Sequence, residues 1–343
     1  MKKKYSRNII VPIMILFYSI IKLSAYPWPL AGMNTQHYVG GTFGEVRGPM
    51  YGLDHCHRGI DIDNGTTETA VYPVINAKVL AKTDNAVIIE GIDAYEYYTY
   101  DHLSTISIQQ GDTVYAIEAD SNRIGYFNGY GSNHLHLGDG YEYGYGFFNP
   151  LFYIEPFSDT YNPEIEYIKI AKNITSSTVS PTLCPTNSES GNQRMGEGDK
   201  IDILVKAKDQ IATYGGYNNG IYGVEATIEG PLPDDDEIVS YEGFFMDNGF
   251  FNYNSADVNY IYAPGSKSAQ STTDTSVYIY APTNNYTSDG YWDTEGLEEG
   301  RYKIIVTVWS LIDNDYMHSD EDSIIVETGN SSEQPSFSER IQQ

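Results

Sequence analysis

At 343 residues the chain is too long for one ordinary domain and comfortable for two, each able to bury its own core. It carries 47 acidic against 20 basic side chains, a formal net charge of −27 at pH 7. Such a surface repels phosphate backbones and anionic lipid, which argues against a nucleic-acid or membrane-surface partner.

Residues 1–25 carry Lys2, Lys3, Lys4 and Arg7, then an apolar run from Ile9 to Ile21 interrupted by Pro12, then Leu23-Ser24-Ala25. A basic region, a short hydrophobic region and a small-residue cleavage site read as a secretory signal peptide. The run is short of the roughly 20 apolar residues a bilayer span needs, and no second candidate follows. No stable membrane span is therefore expected after cleavage, with an uncleaved anchor as the alternative, and the protein is expected to be secreted or to lie in the periplasm or cell envelope. Removing the segment takes away basic residues and no acid, so the mature surface is more acidic still.

Residues 26–160 form the first expected domain. They are dense in Gly, Tyr and His, and short apolar runs such as Ala70-Val71-Tyr72-Pro73-Val74 and Ala86-Val87-Ile88-Ile89 alternate with turn signals at Asp63-Asn64-Gly65, Gln110-Gly111-Asp112 and Asn128-Gly129. No amphipathic helix of useful length is visible, which makes the region all-β. Composition shifts near Phe157-Ser158-Asp159. Residues 161–328 then read as a second domain in which Ile201, Ile203, Val205 and Ala207 alternate in one strand and Tyr302, Ile304, Val306 and Val308 in another. Alternating strands joined by long polar loops predict a β-sandwich, and the closing "EGRYKIIVTVWSLIDND" is similar to the last hairpin of immunoglobulin-like accessory domains. The acidic loops "PDDDE" and "DNDYMHSDED" lack the ordered ligand series of a calcium loop and read as solvated. Residues 329–343, rich in Ser, Glu and Gln, read as a disordered tail. Cys56 and Cys184 form an even pair in an exported chain, which permits one disulfide, with buried thiols as the alternative.

Six of the seven histidines lie between residues 37 and 136, and four of them fall into three short strings. In "HRGIDID", residues 57–63, the alternation of Ile60 and Ile62 with Gly59, Asp61 and Asp63 predicts a strand with His57 and Asp61 on one face. Cys56 then points to the other face. In "YYTYDHLST", period two places His102 on the face of Tyr98 and Tyr100. In "GSNHLHLGDG" it places His134 and His136 on one face and Leu135 and Leu137 on the other. A hydrolytic zinc ion wants about three nitrogen or oxygen ligands and one open position. His57, Asp61 and one histidine of the pair supply that count, leaving two imidazoles for proton transfer or oxyanion stabilisation. His37, His55 and His318 read as surface or loop residues, and the aromatic stretch "YEYGYGFF", residues 141–148, as either a groove wall or the cover of an apolar edge.

These strings resemble those of the lysostaphin- and LytM-type zinc endopeptidases, a duplicated-hybrid-motif β-sheet family. The match is His57-Arg-Gly-Ile-Asp61, Tyr100-Asp-His102-Leu103 and His134-Leu-His136-Leu137, in that order. "FGEVRG", "AVYPVINAKVLAK", "ISIQQGDTVYAIEADSNRIGYFNGYG" and "GFFNPLFYI" extend it across residues 37–156. Departures are the looser turn in "DNGTTETAVYPV" and Leu137 where Phe is common. The resemblance implies one zinc per chain held by His57, Asp61 and His136, with His102 and His134 as the catalytic imidazoles. It implies peptide cross-links or stem peptides of bacterial peptidoglycan as substrate. A peptidase acting on a protein, and a non-catalytic cell-wall-binding or activator module, are the alternatives.

Overall fold

The computed structural model of the chain describes residues 25–329 apart from 51–52, 64–67, 94–95, 129–133, 141–146, 175–179, 212–217, 247–257, 259, 268–275, 285–289 and 312–317. The expected signal peptide up to residue 24, the expected tail from 330, residues 141–146 of the aromatic stretch and 312–317 of the second acidic loop lie outside the described residues. Among the described residues the fold is all-β in class, with 21 strands, two 3-10 turns and a few helical residues at Val258, Tyr260 and Ile261. None of its described helices is long and apolar enough to cross a membrane.

Two compact units form. One comprises the described residues of 25–37, 62–139 and 150–157; the other comprises those of 38–61, 140–149 and 158–329. The chain opens with β1 (Tyr38–Gly41), the hairpin β2 (Val46–Met50) and β3 (Leu53–Cys56), and β4 (Ile60–Asp63). It continues with β5 (Glu68–Val71), β6 (Ala77–Lys82), β7 (Val87–Gly91), β8 (Tyr97–Asp101), β9 (Thr105–Ile106), β10 (Thr113–Val114), β11 (Gly125–Asn128) and β12 (Leu135–Asp139). One seven-stranded sheet runs in the order β1-β4-β12-β8-β7-β6-β10, and a small sheet runs β5-β11-β9.

Period two sorts the side chains of the first unit. Ala77, Val79, Val87, Ile89, Tyr98, Tyr100, Leu135 and Leu137 are each 2% exposed or less, and burial of a large apolar side chain is worth about 1.5–3 kcal/mol. Trp28 is wholly buried in the same unit. Its indole N–H donates to the Pro156 carbonyl at 2.6 Å, which gives a buried polar atom its partner.

The second unit adds β13 (Glu164–Lys172), β14 (Gln193–Met195), β15 (Lys200–Lys208), β16 (Gly223–Glu229), β17 (Glu237–Phe245), β18 (Ile279–Tyr280), β19 (Trp292–Asp293), β20 (Arg301–Trp309) and β21 (Ser319–Thr328). One sheet runs β13-β15-β18, with β19 also on β15, and the other runs β14-β21-β20-β16-β17. On β20 the alternation read from the sequence holds: Tyr302, Ile304, Val306 and Val308 are buried. On β15 both faces are covered, because Asp202 and Leu204 are buried along with Ile201, Ile203, Val205 and Ala207. Asp202 meets the demand for partners by accepting from Thr283 Oγ1 at 2.8 Å and from the Ile174 N–H at 2.5 Å. Cys56 and Cys184 are both buried thiols and no disulfide joins them; burial pushes the Cys184 thiol up to about 11.

Candidate functional site

The first half of the site is built by the loop between β1 and β2 and the turn between β3 and β4. A single strand through residues 57–63 is not what forms. β3 ends at Cys56, the chain turns through His57, Arg58 and Gly59, and β4 begins at Ile60. The reason lies in the partners of His57. Its N–H donates to the Glu45 carbonyl at 2.7 Å, and its carbonyl accepts from the Gly44 N–H at 2.8 Å, so its backbone hydrogen bonds go to the preceding loop. His57 and Asp61 converge all the same, with Nε2 and Oδ1 3.0 Å apart and each residue 6% exposed.

The hydrogen bonds decide what that contact is. Nδ1 of His57 lies 2.7 Å from the Thr42 carbonyl oxygen. Arg47 Nη2, a donor, stands 3.0 Å from the same nitrogen, so the two neighbours favour opposite tautomers. The shorter contact is the one to the carbonyl, which only accepts, and on it the ring hydrogen sits on Nδ1 and the lone pair on Nε2. That lone pair faces a carboxylate oxygen, and two acceptors at this distance need a cation between them or a second proton on the ring. Two ligands in a tetrahedral shell with bonds of about 2.0–2.2 Å stand about 3.3 Å apart, close to what is seen, so the donors fit a small divalent metal of nitrogen and oxygen preference. Fixing the outer ring nitrogen on a backbone carbonyl is the usual second layer of such a ligand.

The other oxygen of Asp61, Oδ2, accepts from Arg47 Nη2 at 2.8 Å, which leaves Oδ1 to face His57. Arg47 Nη2 also stands 3.4 Å from Glu45 Oε2, and Glu45 Oε1 accepts from the Thr42 N–H at 2.6 Å. Burial raises the Glu45 carboxyl above the usual range, against the pull of Arg47 and the Thr42 hydrogen bonds. Burial lowers the Arg47 guanidinium, but Glu45 and Asp61 outweigh it, so its pKa rises. Gly41 makes room for this group: a Cβ there would collide with Arg47 Nη2 and come within 2.7 Å of Asp61 Oδ2.

The second half of the site stands on β8 and β12. Their antiparallel register sets His136 opposite Asp101 and Leu137 opposite Tyr100. Leu135 and Leu137 are buried while His134 and His136 are half-buried, as the alternation predicts. His102 departs from its expected place. Tyr98 and Tyr100 point into the core, where the Tyr100 hydroxyl accepts from the Val74 N–H at 2.9 Å. His102 lies beyond the strand end, with φ of 64° and its side chain 46% exposed. The left-handed backbone breaks the period-two rule, and Asp101 Oδ1 holds the turn by accepting from the His102 N–H at 2.6 Å. The ring is thereby turned toward the histidine pair: it meets His134 edge-on at 4.9 Å between centroids and His136 at 6.2 Å.

One ligand atom from each of His57, Asp61 and His136 lies within 4.8 Å of the others. Of the remaining histidines, His318 Nε2 pairs with the Asp159 carbonyl at 3.1 Å and His37 packs on Trp28 at 5.7 Å. The guanidinium of Arg58 stacks over Phe147 at 4.9 Å. Thr42, Glu45 and Arg47 were visible to sequence reading only as part of "FGEVRG" and its neighbour; the clue to their role is an acid and a base two residues apart after a glycine.

No protein-family model matches the chain, and no curated protein matches it. Among solved structures, the solution structure of lysostaphin is similar over 82% of this chain and 86% of that one, at 12% identity and a TM-score of 0.27. A likeness of that extent leaves the functional reading to rest on the site.

Proposed function

We propose that the protein is a zinc-dependent endopeptidase in which His57, Asp61 and His136 hold one zinc ion and His102 and His134 are the catalytic imidazoles. The observation that carries the reading is the convergence of three nitrogen and oxygen donors within 4.8 Å, with a second pair of histidine rings in contact beside them. Bound there, zinc supplies Lewis acidity toward a carbonyl and brings the pKa of water toward neutrality.

The chain's own residues supply the rest. Thr42 holds the His57 tautomer and Arg47 holds the outer oxygen of Asp61, so both ligands keep their orientation. His134 and His102 each bring a ring nitrogen able to take a proton from water and return it to the leaving amine. The exposure of His102 leaves that ring open to an incoming peptide, where an N–H donor stabilises the charge developing on the carbonyl oxygen. Peptide cross-links of bacterial cell wall are the proposed substrate, supported by the three motif strings; a glycine-rich protein segment presents the same small, unhindered peptide bond. The acidic chain is proposed to act outside the cytoplasm.

The test is metal content by mass spectrometry, followed by release of free amines from purified peptidoglycan with and without chelator. Activity lost to chelator and restored by zinc is expected. Zinc-loaded protein that cleaves neither cell wall nor glycine-rich peptide would overturn the enzymatic reading and leave a binding module.

A further inference from the structure

The loop that holds His57 and Asp61 belongs to the same compact unit as the chain after residue 158, and its contacts there are buried and specific. The hydroxyl of Tyr262, a residue 2% exposed, donates to the Gly44 carbonyl at 2.8 Å. Gly44 is the residue whose N–H binds the His57 carbonyl, so one residue is gripped by Tyr262 through its carbonyl and grips His57 through its N–H. Gly44 has φ of 87°, and a Cβ on it would collide with the sulfur of Met246 and lie 3.0 Å from its Cε. Thr42, whose carbonyl fixes the His57 ring, donates its own hydroxyl to the Asn219 carbonyl at 2.5 Å.

Tyr262 is in turn held by a packed aromatic floor. Its ring lies 5.2 Å from Tyr280 and 5.9 Å from Tyr278, and Tyr280 packs on Phe244 at 5.3 Å while its hydroxyl accepts from the Ile221 N–H. Burial raises the Tyr262 hydroxyl well above its usual pKa, so it remains a donor. Two of the three backbone groups bonded to His57, the Thr42 carbonyl and the Gly44 N–H, thus belong to residues that are themselves hydrogen-bonded to the chain after residue 158.

We propose that Tyr262 is a positioning residue for the metal ligands, and that the C-terminal sheets form part of the frame of the site and are not a separable targeting module. This rests on the zinc reading above. Groups that orient metal ligands from behind change metal affinity by about 10–100-fold when removed.

The experiment uses the full-length chain with Tyr262→Phe and, as a control, Tyr302→Phe, which removes the hydroxyl of another buried tyrosine, bonded to the Glu298 carbonyl at 2.7 Å. Zinc affinity is measured by competition with a chromogenic chelator, and ligand geometry by the visible absorption of cobalt-substituted protein. Tyr262→Phe should bind zinc about tenfold more weakly with a shifted cobalt spectrum, while Tyr302→Phe matches wild type. Thr42→Val should repeat the loss and Thr42→Ser should restore binding. Wild-type affinity and spectrum in both Tyr262→Phe and Thr42→Val would overturn the proposal, as would equal losses in the control. Wild-type protein that binds no metal would instead bring down the zinc reading itself.

Discussion

Asp209 offers a prediction whose sign and size both follow from its surroundings. It is 3% exposed, and the wholly buried Asp159 acts on it. Burial first, then the charge of Asp159, pushes its carboxyl from 3.8 up to about 8, against the hydrogen bond from the Gln210 N–H. The folded state therefore favours the protonated acid. Its contribution to stability is fully present below pH 3.8 and is lost as pH rises through about 8. At about 1.36 kcal/mol per pKa unit the ceiling is about 5–6 kcal/mol, and relaxation around a buried charge reduces the expected loss to about 2–4 kcal/mol. Asp209→Asn keeps the shape and the acceptor for Gln210 while removing the ionisation. Urea unfolding of metal-free protein should show nearly equal stability of variant and wild type near pH 4. By pH 9 the variant should be ahead by those few kcal/mol. A difference that does not change with pH, or a variant less stable than wild type at pH 9, would refute the reasoning.

On the proposed function the histidine pair divides by role. His136→Ala should lose zinc, and with it the roughly 2.7 kcal/mol of stabilisation that a ligand at 100 times its Kd confers, read as a thermal shift on adding metal. His134→Ala should retain one zinc per chain and lose about 10²–10⁴-fold in turnover, read from metal content and hydrolysis rates on one sample. Gly44→Ala meets a left-handed backbone and the Met246 sulfur together, so it should cost about 2–4 kcal/mol in urea unfolding and weaken cobalt binding. Arg47→Gln leaves the buried carboxylates of Glu45 and Asp61 without their cation; with the Arg47 side chain 26% exposed, the expected cost is about 2–3 kcal/mol at pH 7, measured the same way.

Much of the β architecture is legible from local pattern because alternation on a half-buried strand is a local property. Tyr302, Ile304, Val306 and Val308 point inward as read, and Leu135 and Leu137 turn inward so that His134 and His136 share the other face. The buried Asp202 is illegible in the same way that it is instructive: a strand covered on both faces buries a carboxyl group where alternation expects solvent, and the partners that make this tolerable come from Ile174 and Thr283, far away in sequence. His57 and Asp61 do converge, though through a turn and not along one strand, since the bonds that bend the chain belong to Gly44 and Glu45. His102 lies off its expected face because one residue adopts φ of 64°, a conformation for which the string "YDHL" contains no glycine to give warning. The anchoring of the loop by Tyr262 leaves no local trace at all.

The bond between Tyr262 and Gly44 spans 218 positions, and that separation has a consequence in time. A chain made from its N-terminus at about 5–20 residues per second exposes its first histidine string, at His57, roughly ten to forty seconds before Tyr262, the residue proposed to seat it, is synthesised. Contacts this distant in sequence also form slowly, because the loop between them must close first. On the proposed reading, a hydrolase assembled in this order would stay incomplete while its own chain is still being made, and the proposed metal site would be complete only when the last sheets have folded.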